Sequence, residues 1–170
     1  MGVSDETCKA GPVEGRPSPP IHLWLMVGVP GSGKSTYARA HLAGKWRVSL
    51  DDLRYMLSPD AHAPRTQPVA VALEEASLRT LLSGIDGQYN DVVVDATNVT
   101  RTRRRRYLKL AASFGVPVIA VFLRCDLATA LARNRARPQP VPDEVVERMY
   151  SNLQPPELGE GFEDVIYVTC

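Results

Sequence analysis

Residues 28–36 read GVPGSGKST, in which three glycines precede a lysine and two hydroxyl residues. Glycines at this spacing let the backbone curl around a chain of phosphates and point its N–H groups inward. The Lys34 ammonium would reach the β- and γ-phosphates, and the Ser35 hydroxyl would ligate Mg²⁺. A glycine-rich turn that binds nothing is the alternative. The pattern favours a site for a nucleoside triphosphate with Mg²⁺, and the predicted contact residues are Gly28, Pro30, Gly31, Ser32, Gly33, Lys34, Ser35 and Thr36.

A carboxylate and an arginine follow in the segment SLDDLR, residues 49–54. Asp51 and Arg54 are three residues apart, so on a helical turn they share one face. At the end of a strand in an open α/β sheet they would stand beside the phosphate loop. Phosphate transfer to a hydroxyl needs a carboxylate that accepts the proton and a cation that holds an anionic acceptor. The alternative is an Asp that caps the helix and an Arg on its surface.

A second acid, Asp95, ends the apolar run VVVD and is followed by Ala-Thr-Asn. An acid in this position commonly orients a Mg²⁺-bound water or an arginine of the acceptor site. Otherwise Asp95 would cap the helix predicted from Arg101, for which Asn98 and Thr100 are further candidates.

Three arginines, Arg133, Arg135 and Arg137, end a predicted helix just before a Pro-Gln-Pro turn. Arg133 and Arg137 are four residues apart and would share a helix face. Forked guanidinium groups match phosphate oxygens, so these two would neutralise the transferred group from a mobile lid that closes over ATP. A solvated helix end whose cations complement the helix dipole is the alternative.

Basic residues are concentrated in the middle of the chain, although its net charge is only +1. Ten basic residues accompany one acid between residues 97 and 142, whereas seven acids accompany one arginine between residues 143 and 170. The positive middle suits a polyanion, either a nucleotide or a nucleic acid, and solvated helix faces are the alternative. The densest run, residues 101–106, lies at a predicted helix N-terminus, where cations are unfavourable. It would contact a nucleic-acid strand or form a plain basic surface.

Short apolar runs alternate with helical patterns from residue 21 onward. Strands are predicted at residues 21–28, 46–50, 91–95, 117–123 and 165–169. Helical spacing predicts a helix after the phosphate loop (residues 36–42) and the apolar faces Leu78/Leu81/Leu82/Ile85, Tyr107/Leu110/Ala111/Phe114, Leu127/Ala130/Leu131 and Val146/Met149/Tyr150/Leu153. This alternation predicts one α/β domain over residues 21–170, in which a five-stranded parallel sheet lies between helices.

Residues 1–20 are rich in Gly, Pro and polar residues and show no apolar period, so we expect a disordered leader. The scattered cysteines, Cys8, Cys125 and Cys170, have no metal-ligand spacing and favour a reduced, cytoplasmic protein. The longest apolar run, residues 23–29, is too short to span a membrane, and no signal peptide is indicated.

No NKxD-type guanine motif is present, and 170 residues leave little room for the additional subdomains of most motor or AAA⁺ ATPases. A compact phosphotransferase therefore remains. Four segments together resemble the kinase domain of polynucleotide 5′-kinases, the bacteriophage enzyme and the bacterial end-healing kinases. The resemblance runs from about Leu23 to the C-terminus and depends on GVPGSGKST (28–36), SLDDLR (49–54), DATN (95–98) and RNRARPQPVPDEVVERMY (133–150).

The resemblance implies a P-loop NTPase fold with an arginine-bearing lid, and an ATP- and Mg²⁺-dependent kinase of nucleic-acid repair. The acceptor would be the single-stranded 5′-hydroxyl end of DNA or RNA, and Asp51 would be its general base. By this similarity the catalytic residues are Lys34, Asp51, Arg54 and Arg133, the acceptor contacts are Asp51, Arg54 and Asp95, and the lid contacts to the nucleotide are Arg133 and Arg137.

Two other functions stay open at this point. P-loop kinases of similar skeleton act on sugars, antibiotics and other metabolites, and residues 58–88 carry no match that fixes the acceptor. A nucleotide-dependent regulatory module without transfer is the second alternative, although it would need no acceptor base such as Asp51. The sequence leaves open the preferences between DNA and RNA and between ATP and GTP.

Overall fold

The computed structural model describes residues 21–58 and 65–169, so the predicted leader at residues 1–20 lies outside the described residues. Strands and helices alternate through most of the described chain, and a short 3₁₀ helix at Leu158–Glu160 precedes the last strand. The strands are β1 (Leu23–Val27), β2 (Trp46–Ser49), β3 (Val92–Asp95), β4 (Val118–Arg124) and β5 (Asp164–Thr169). The helices are α1 (Lys34–His41), α2 (Leu50–Leu57), α3 (Thr66–Ser83), α4 (Arg101–Ser113), α5 (Leu127–Arg135) and α6 (Asp143–Ser151).

The five strands form one parallel sheet in the order β2-β3-β1-β4-β5. The chain moves outward from β1 to β2, returns to β3, and then crosses β1 to reach β4 on its other side. In open α/β sheets the carboxyl ends of strands beside such a reversal form the crevice that binds ligands. The phosphate loop follows β1, and Asp51 and Asp95 lie at the carboxyl ends of β2 and β3. The topology therefore brings these three sequence-distant segments to one edge.

Both faces of the sheet are buried, which explains why its strands read as nearly continuous apolar runs. Side chains of β1 alternate between the two faces, with Leu23 and Leu25 on one and Trp24 and Met26 on the other. Helices α3 and α4 cover the first face with Leu78, Leu82, Tyr107 and Leu110. Helix α1 covers the second face with Ala38 and Leu42.

The predicted fold, a five-stranded parallel sheet between helices, is confirmed, and no strand end differs from the prediction by more than two residues. One helix assignment is wrong. Ile85 was expected on the apolar face of α3, but that helix ends at Ser83 and the Ile85 side chain is exposed. Gly84 follows with a φ of 80°, which turns the chain away from the helix axis, and Ile85 pairs with Gln88 in a short bridge.

The basic run at the start of α4 is only partly a surface feature, because Arg104 is completely buried. Its Nε and Nη2 donate to the two carboxylate oxygens of Glu160, at 2.8 and 2.6 Å. Its Nη1 donates to the carbonyl oxygens of Asn98 and Gln154, at 3.1 and 2.8 Å. The guanidinium thus ties α4 to the segment before β5, and each charged group of the pair is hydrogen-bonded as burial requires.

Two neighbouring arginines also have acidic partners. Arg101 Nη2 donates to Glu157 Oε2 at 2.6 Å on the surface. Arg106 forms an ion pair with Glu74 of α3, and Tyr107 Oη donates to the same carboxylate at 3.0 Å. Burial raises the pKa of Glu74, whereas the nearby Arg106 and Tyr107 act in the opposite direction. This cluster fastens α4 to α3.

Replacing Glu160 by Ala would leave the buried Arg104 charge with only two carbonyl partners. We expect the free energy of unfolding to fall by about 3–5 kcal/mol, the range for a buried ion pair that loses one member. Glu157→Ala is the matched control, since the Glu157–Arg101 pair is exposed and contributes about 0–1 kcal/mol. Urea unfolding of both variants measures the difference, and equal losses would contradict a stabilising role for the buried pair.

Candidate active site

A cavity of about 670 Å³ lies at the carboxyl edge of β1, β2 and β3. Its volume is within the usual range for small-ligand sites. The predicted site residues that line it are Pro30, Gly31, Gly33, Lys34, Ser35, Thr36, Asp51, Arg54, Asp95, Arg133 and Arg137. Two predicted contacts, Gly28 and Ser32, are not among the lining residues. Gly28 instead packs against Ser32, since a Cβ on Gly28 would lie 2.6 Å from the Ser32 Oγ.

The phosphate loop is fixed by the close approach of its backbone to α5. A Cβ built on Gly31 would lie 2.1 Å from the carbonyl oxygen of Ala130, and Gly31 has a φ of 81°. Gly33 has a φ of 92° and is the N-terminal cap of α1. Any larger residue at Gly31 would overlap backbone that cannot move aside, so the glycine is required by packing as well as by conformation.

Lys34 begins α1, and its ammonium is buried at the floor of the cavity. Its Nζ donates to the carbonyl oxygen of Val29 at 2.8 Å. Burial lowers the pKa of Lys34 to about 8, although the carboxylates of Asp95 and Asp51 act to raise it. A phosphate group that enters the cavity would add a negative charge beside the Lys34 ammonium and so stabilise its charged form.

The Asp51 carboxylate lies between two arginines. Arg54 Nη1 donates to Asp51 Oδ1 at 2.5 Å, as the spacing of three residues on a helix predicts, and Arg137 Nη2 donates to Oδ2 at 3.3 Å. Arg54 Nε also donates to Gln67 Oε1 of α3 at 2.7 Å. The cap of α2 is Ser49, whose hydroxyl accepts the N–H of residue 52, so Asp51 is not needed as a cap.

Asp95 is buried at the end of β3 and is held by an arginine that sequence reasoning missed. The Nε of Arg47 donates to Asp95 Oδ2 at 2.9 Å, and its Nη2 forms an ion pair with the same oxygen at 2.8 Å. Its Nη1 donates to Asp52 Oδ2 at 2.8 Å. Asp95 therefore binds an arginine of β2 and not Arg54 in this structure. Thr100 caps α4, so the capping role considered for Asp95 is wrong. The available signal was a basic residue between two apolar residues of strand β2.

The turn after α5 is held by a buried amide. Asn134 Nδ2 donates to the carbonyl oxygen of Val141 at 2.7 Å, and its Oδ1 accepts the N–H of the same residue at 3.2 Å. Helix α5 ends at Arg135, so the prediction that Arg133 and Arg137 share a helix face is wrong. Both nevertheless line the cavity, because the turn folds back at Asn134 and carries Arg137 towards Asp51.

The middle arginine of the lid segment faces away from the cavity. Arg135 Nη2 donates to Asp143 Oδ2 at 2.6 Å on the exposed surface between α5 and α6. Four further polar residues line the cavity that the sequence did not assign to it, namely Arg39, Gln67, Thr97 and Arg103. Arg103 belongs to the basic run of α4. Which arginines of this run face the cavity depends on the orientation of the helix, which the sequence alone does not give.

Charge around the cavity is strongly positive. Of the described residues that line it, six are cationic and two are acidic. Residues 21–58 and 65–169 contain no group of three or more His, Cys, Asp or Glu side chains that could hold a metal ion by themselves. None of the helices in that part of the chain is long and apolar enough to cross a membrane.

Comparison with curated proteins identifies kinases of nucleic acids. The chain is 26% identical over 139 residues to an L-seryl-tRNA(Sec) kinase of Methanococcus maripaludis, covering 79% of this chain and 53% of that protein. It is 26% identical over 148 residues to a bifunctional polynucleotide phosphatase/kinase of Schizosaccharomyces pombe, covering 83% of this chain and 32% of that protein. The chain thus spans about half or less of the length of these relatives.

Among solved structures, a gluconokinase from Sinorhizobium meliloti 1021 superposes with a TM-score of 0.56 at 21% identity, covering 87% of this chain and 82% of that one. At this identity the likeness concerns the fold alone, which is the P-loop NTPase fold. The family described as an AAA domain matches residues 23–156, from β1 to the residues after α6. This match covers most of the chain, and the chain therefore belongs to the AAA domain family of P-loop proteins.

Proposed function

We propose that the chain is an ATP-dependent kinase that transfers the γ-phosphate of ATP to the 5′-hydroxyl end of DNA or RNA. The observation that supports this most is the grouping, in one cavity, of the phosphate loop, the Asp51 carboxylate and an excess of cations. Lys34 and the loop would bind the phosphates of ATP. Asp51 would accept the proton of the acceptor hydroxyl. A regulatory module without transfer would need no carboxylate at this position.

In the proposed reaction Asp51 accepts the proton of the acceptor hydroxyl as its oxygen attacks the γ-phosphorus. The bond between that phosphorus and the bridging oxygen breaks, and its electron pair stays on the β-phosphate of ADP. Both oxygens of Asp51 accept hydrogen bonds from arginines in this structure. One of these hydrogen bonds has to break before Asp51 can accept one from the acceptor hydroxyl. The longer contact belongs to Arg137, whose guanidinium would then pair with the transferred phosphate, together with Arg133.

The oxygen atoms beside Lys34 fit a magnesium ion that arrives with the nucleotide. The Ser35 hydroxyl and the Asp95 carboxylate both border the cavity, and oxygen donors of this kind suit Mg²⁺, which keeps several waters and phosphate ligands. When bound, the ion would neutralise charge on the β- and γ-phosphates. Lys34, Arg133 and Arg137 would provide the remaining positive charge.

The choice of a nucleic-acid acceptor depends on charge and on the relatives. The cavity has more cations than acids even after Asp51 and Asp95 are counted, which favours an acceptor that carries phosphate. The names of two curated relatives refer to tRNA and polynucleotide substrates. A kinase for a small metabolite is the second candidate, which the fold shared with a gluconokinase permits.

The first experiment is transfer of labelled γ-phosphate from ATP·Mg²⁺ to 5′-hydroxyl oligonucleotides, run with DNA and with RNA. We expect labelled product, and we expect Lys34→Ala to abolish it, because the ammonium that holds the β- and γ-phosphates is gone. Circular dichroism would verify that the variant is folded. Wild-type turnover in this variant, or labelling of a metabolite in place of the oligonucleotides, would contradict the proposal.

Asp51→Asn should retain ATP affinity but lower turnover by about 10²–10⁴, the usual effect of losing a general base. Asp52→Asn is the matched control, because Asp52 is the adjacent acid, is exposed and does not line the cavity. Single-turnover rates with saturating ATP measure the effect. If the two variants turned over at similar rates, Asp51 would not be the base.

Affinity for ATP should depend on pH because the pKa of Lys34 is lowered to about 8 by burial. The ammonium is the form that binds phosphate, and it is lost in the free protein as pH rises through that value. We expect ATP to bind about tenfold more weakly at pH 9 than at pH 7. Lys34→Arg should show a flat profile, since a guanidinium stays charged. A flat profile in the wild type would contradict the pKa assignment.

A further inference from the structure

Arg103 lies on the side of the cavity that Arg54 and Gln67 form. Helices α3 and α4 touch where Tyr107 Oη donates to Glu74 at 3.0 Å. Gln67 precedes that contact by seven residues on α3, or about 10 Å, and Arg103 precedes it by four residues on α4, or about 6 Å. The first turns of both helices border the cavity, through Gln67 and Arg103, and the helices meet again further from it at the Tyr107–Glu74 contact. This places Arg103 on the acceptor side, next to α2 and α3.

Arg103 also differs from three of its four neighbours in the basic run, and the fourth, Arg105, does not line the cavity. Arg101, Arg104 and Arg106 each have an acidic partner, as described above. Within residues 21–58 and 65–169 the Arg103 guanidinium has no recorded hydrogen bond or ion pair, and its side chain is exposed towards the cavity. A cation in the first turn of a helix is unfavourable, because the helix dipole is positive there. An anion from outside the chain would offset that cost.

Accepting the function proposed above, we propose that Arg103 binds a phosphodiester group of the acceptor strand and thereby selects a polynucleotide over an acceptor without phosphates. Arg54 is held in position by hydrogen bonds to Asp51 and Gln67 and can bind the phosphate nearest the reacting hydroxyl. Arg103, on the adjacent helix, binds a phosphate further along the strand. A guanidinium is suited to this task because its fork matches two phosphate oxygens.

The test compares binding of a fluorescent 5′-hydroxyl oligonucleotide, without ATP, by the wild type and by Arg103→Ala. We expect Arg103→Ala to weaken binding about tenfold at about 0.1 M salt and to reduce the salt-dependence slope by roughly one phosphate contact. Arg105→Ala is the matched control, an exposed arginine of the same helix outside the cavity, and should change binding by less than about twofold. Equal losses in the two variants would overturn the proposal.

A second measurement identifies the phosphate of the oligonucleotide that Arg103 contacts. Oligonucleotides carry an uncharged methylphosphonate in place of one phosphate at a time near the 5′ end. At one position the replacement should weaken wild-type binding about tenfold but hardly affect Arg103→Ala, because the contact is already lost. Additive losses at every position, or a wild type that does not bind the oligonucleotide, would overturn the proposal. Transfer is measured separately, so that binding without transfer refutes the kinase function and leaves the result for Arg103 standing.

Discussion

The charged groups of this cavity are organised around the burial of the Lys34 ammonium. Removing that charge from water is unfavourable, and the lowered pKa of Lys34 reflects it. Asp95 and Asp51 offset part of the cost, but the buried Asp95 carboxylate needs a partner of its own, and the half-exposed Asp51 is paired as well. Arg47 holds Asp95 and Arg54 holds Asp51, so that positive and negative groups alternate outward from the phosphate loop. Each acid is therefore oriented by an arginine before any ligand is bound.

Packing of backbone against backbone holds these charges in position. The carbonyl oxygen of Ala130 occupies the space where Gly31 would carry a side chain, so α5 and the phosphate loop cannot separate without loss of close contact. Four residues later the buried Asn134 closes the turn that returns the chain to Val141. The turn that carries Arg137 thus begins from a helix packed against the phosphate loop and is closed at Val141.

Much of this arrangement could be predicted from the sequence. The parts that were not predicted have one physical cause in common. Strands, helices and the phosphate loop depend on neighbours along the chain, so apolar period and glycine spacing were sufficient. The partners of Arg47 and Arg104 are 48 and 56 residues away, at Asp95 and Glu160, and no local pattern encodes such pairs. The five arginines between residues 101 and 106 look alike in sequence. The orientation of α4 nevertheless buries Arg104, pairs Arg101 on the surface, pairs Arg106 with the buried Glu74 and turns Arg103 towards the cavity.

The same charge distribution bears on which acceptor the cavity can take. A kinase that recognises an uncharged sugar pairs its hydroxyls with both hydrogen-bond donors and acceptors, because an unpaired polar group in the site is what rejects a wrong substrate. The two carboxylates that line this cavity are already occupied by arginine donors. What the walls offer in excess is guanidinium N–H, which can only donate. Sugar hydroxyls can also accept from these donors, but they bring no charge. Phosphate oxygens bring the negative charge that offsets six cations against two acids, so the positive walls support the phosphate-bearing acceptor of the proposed function.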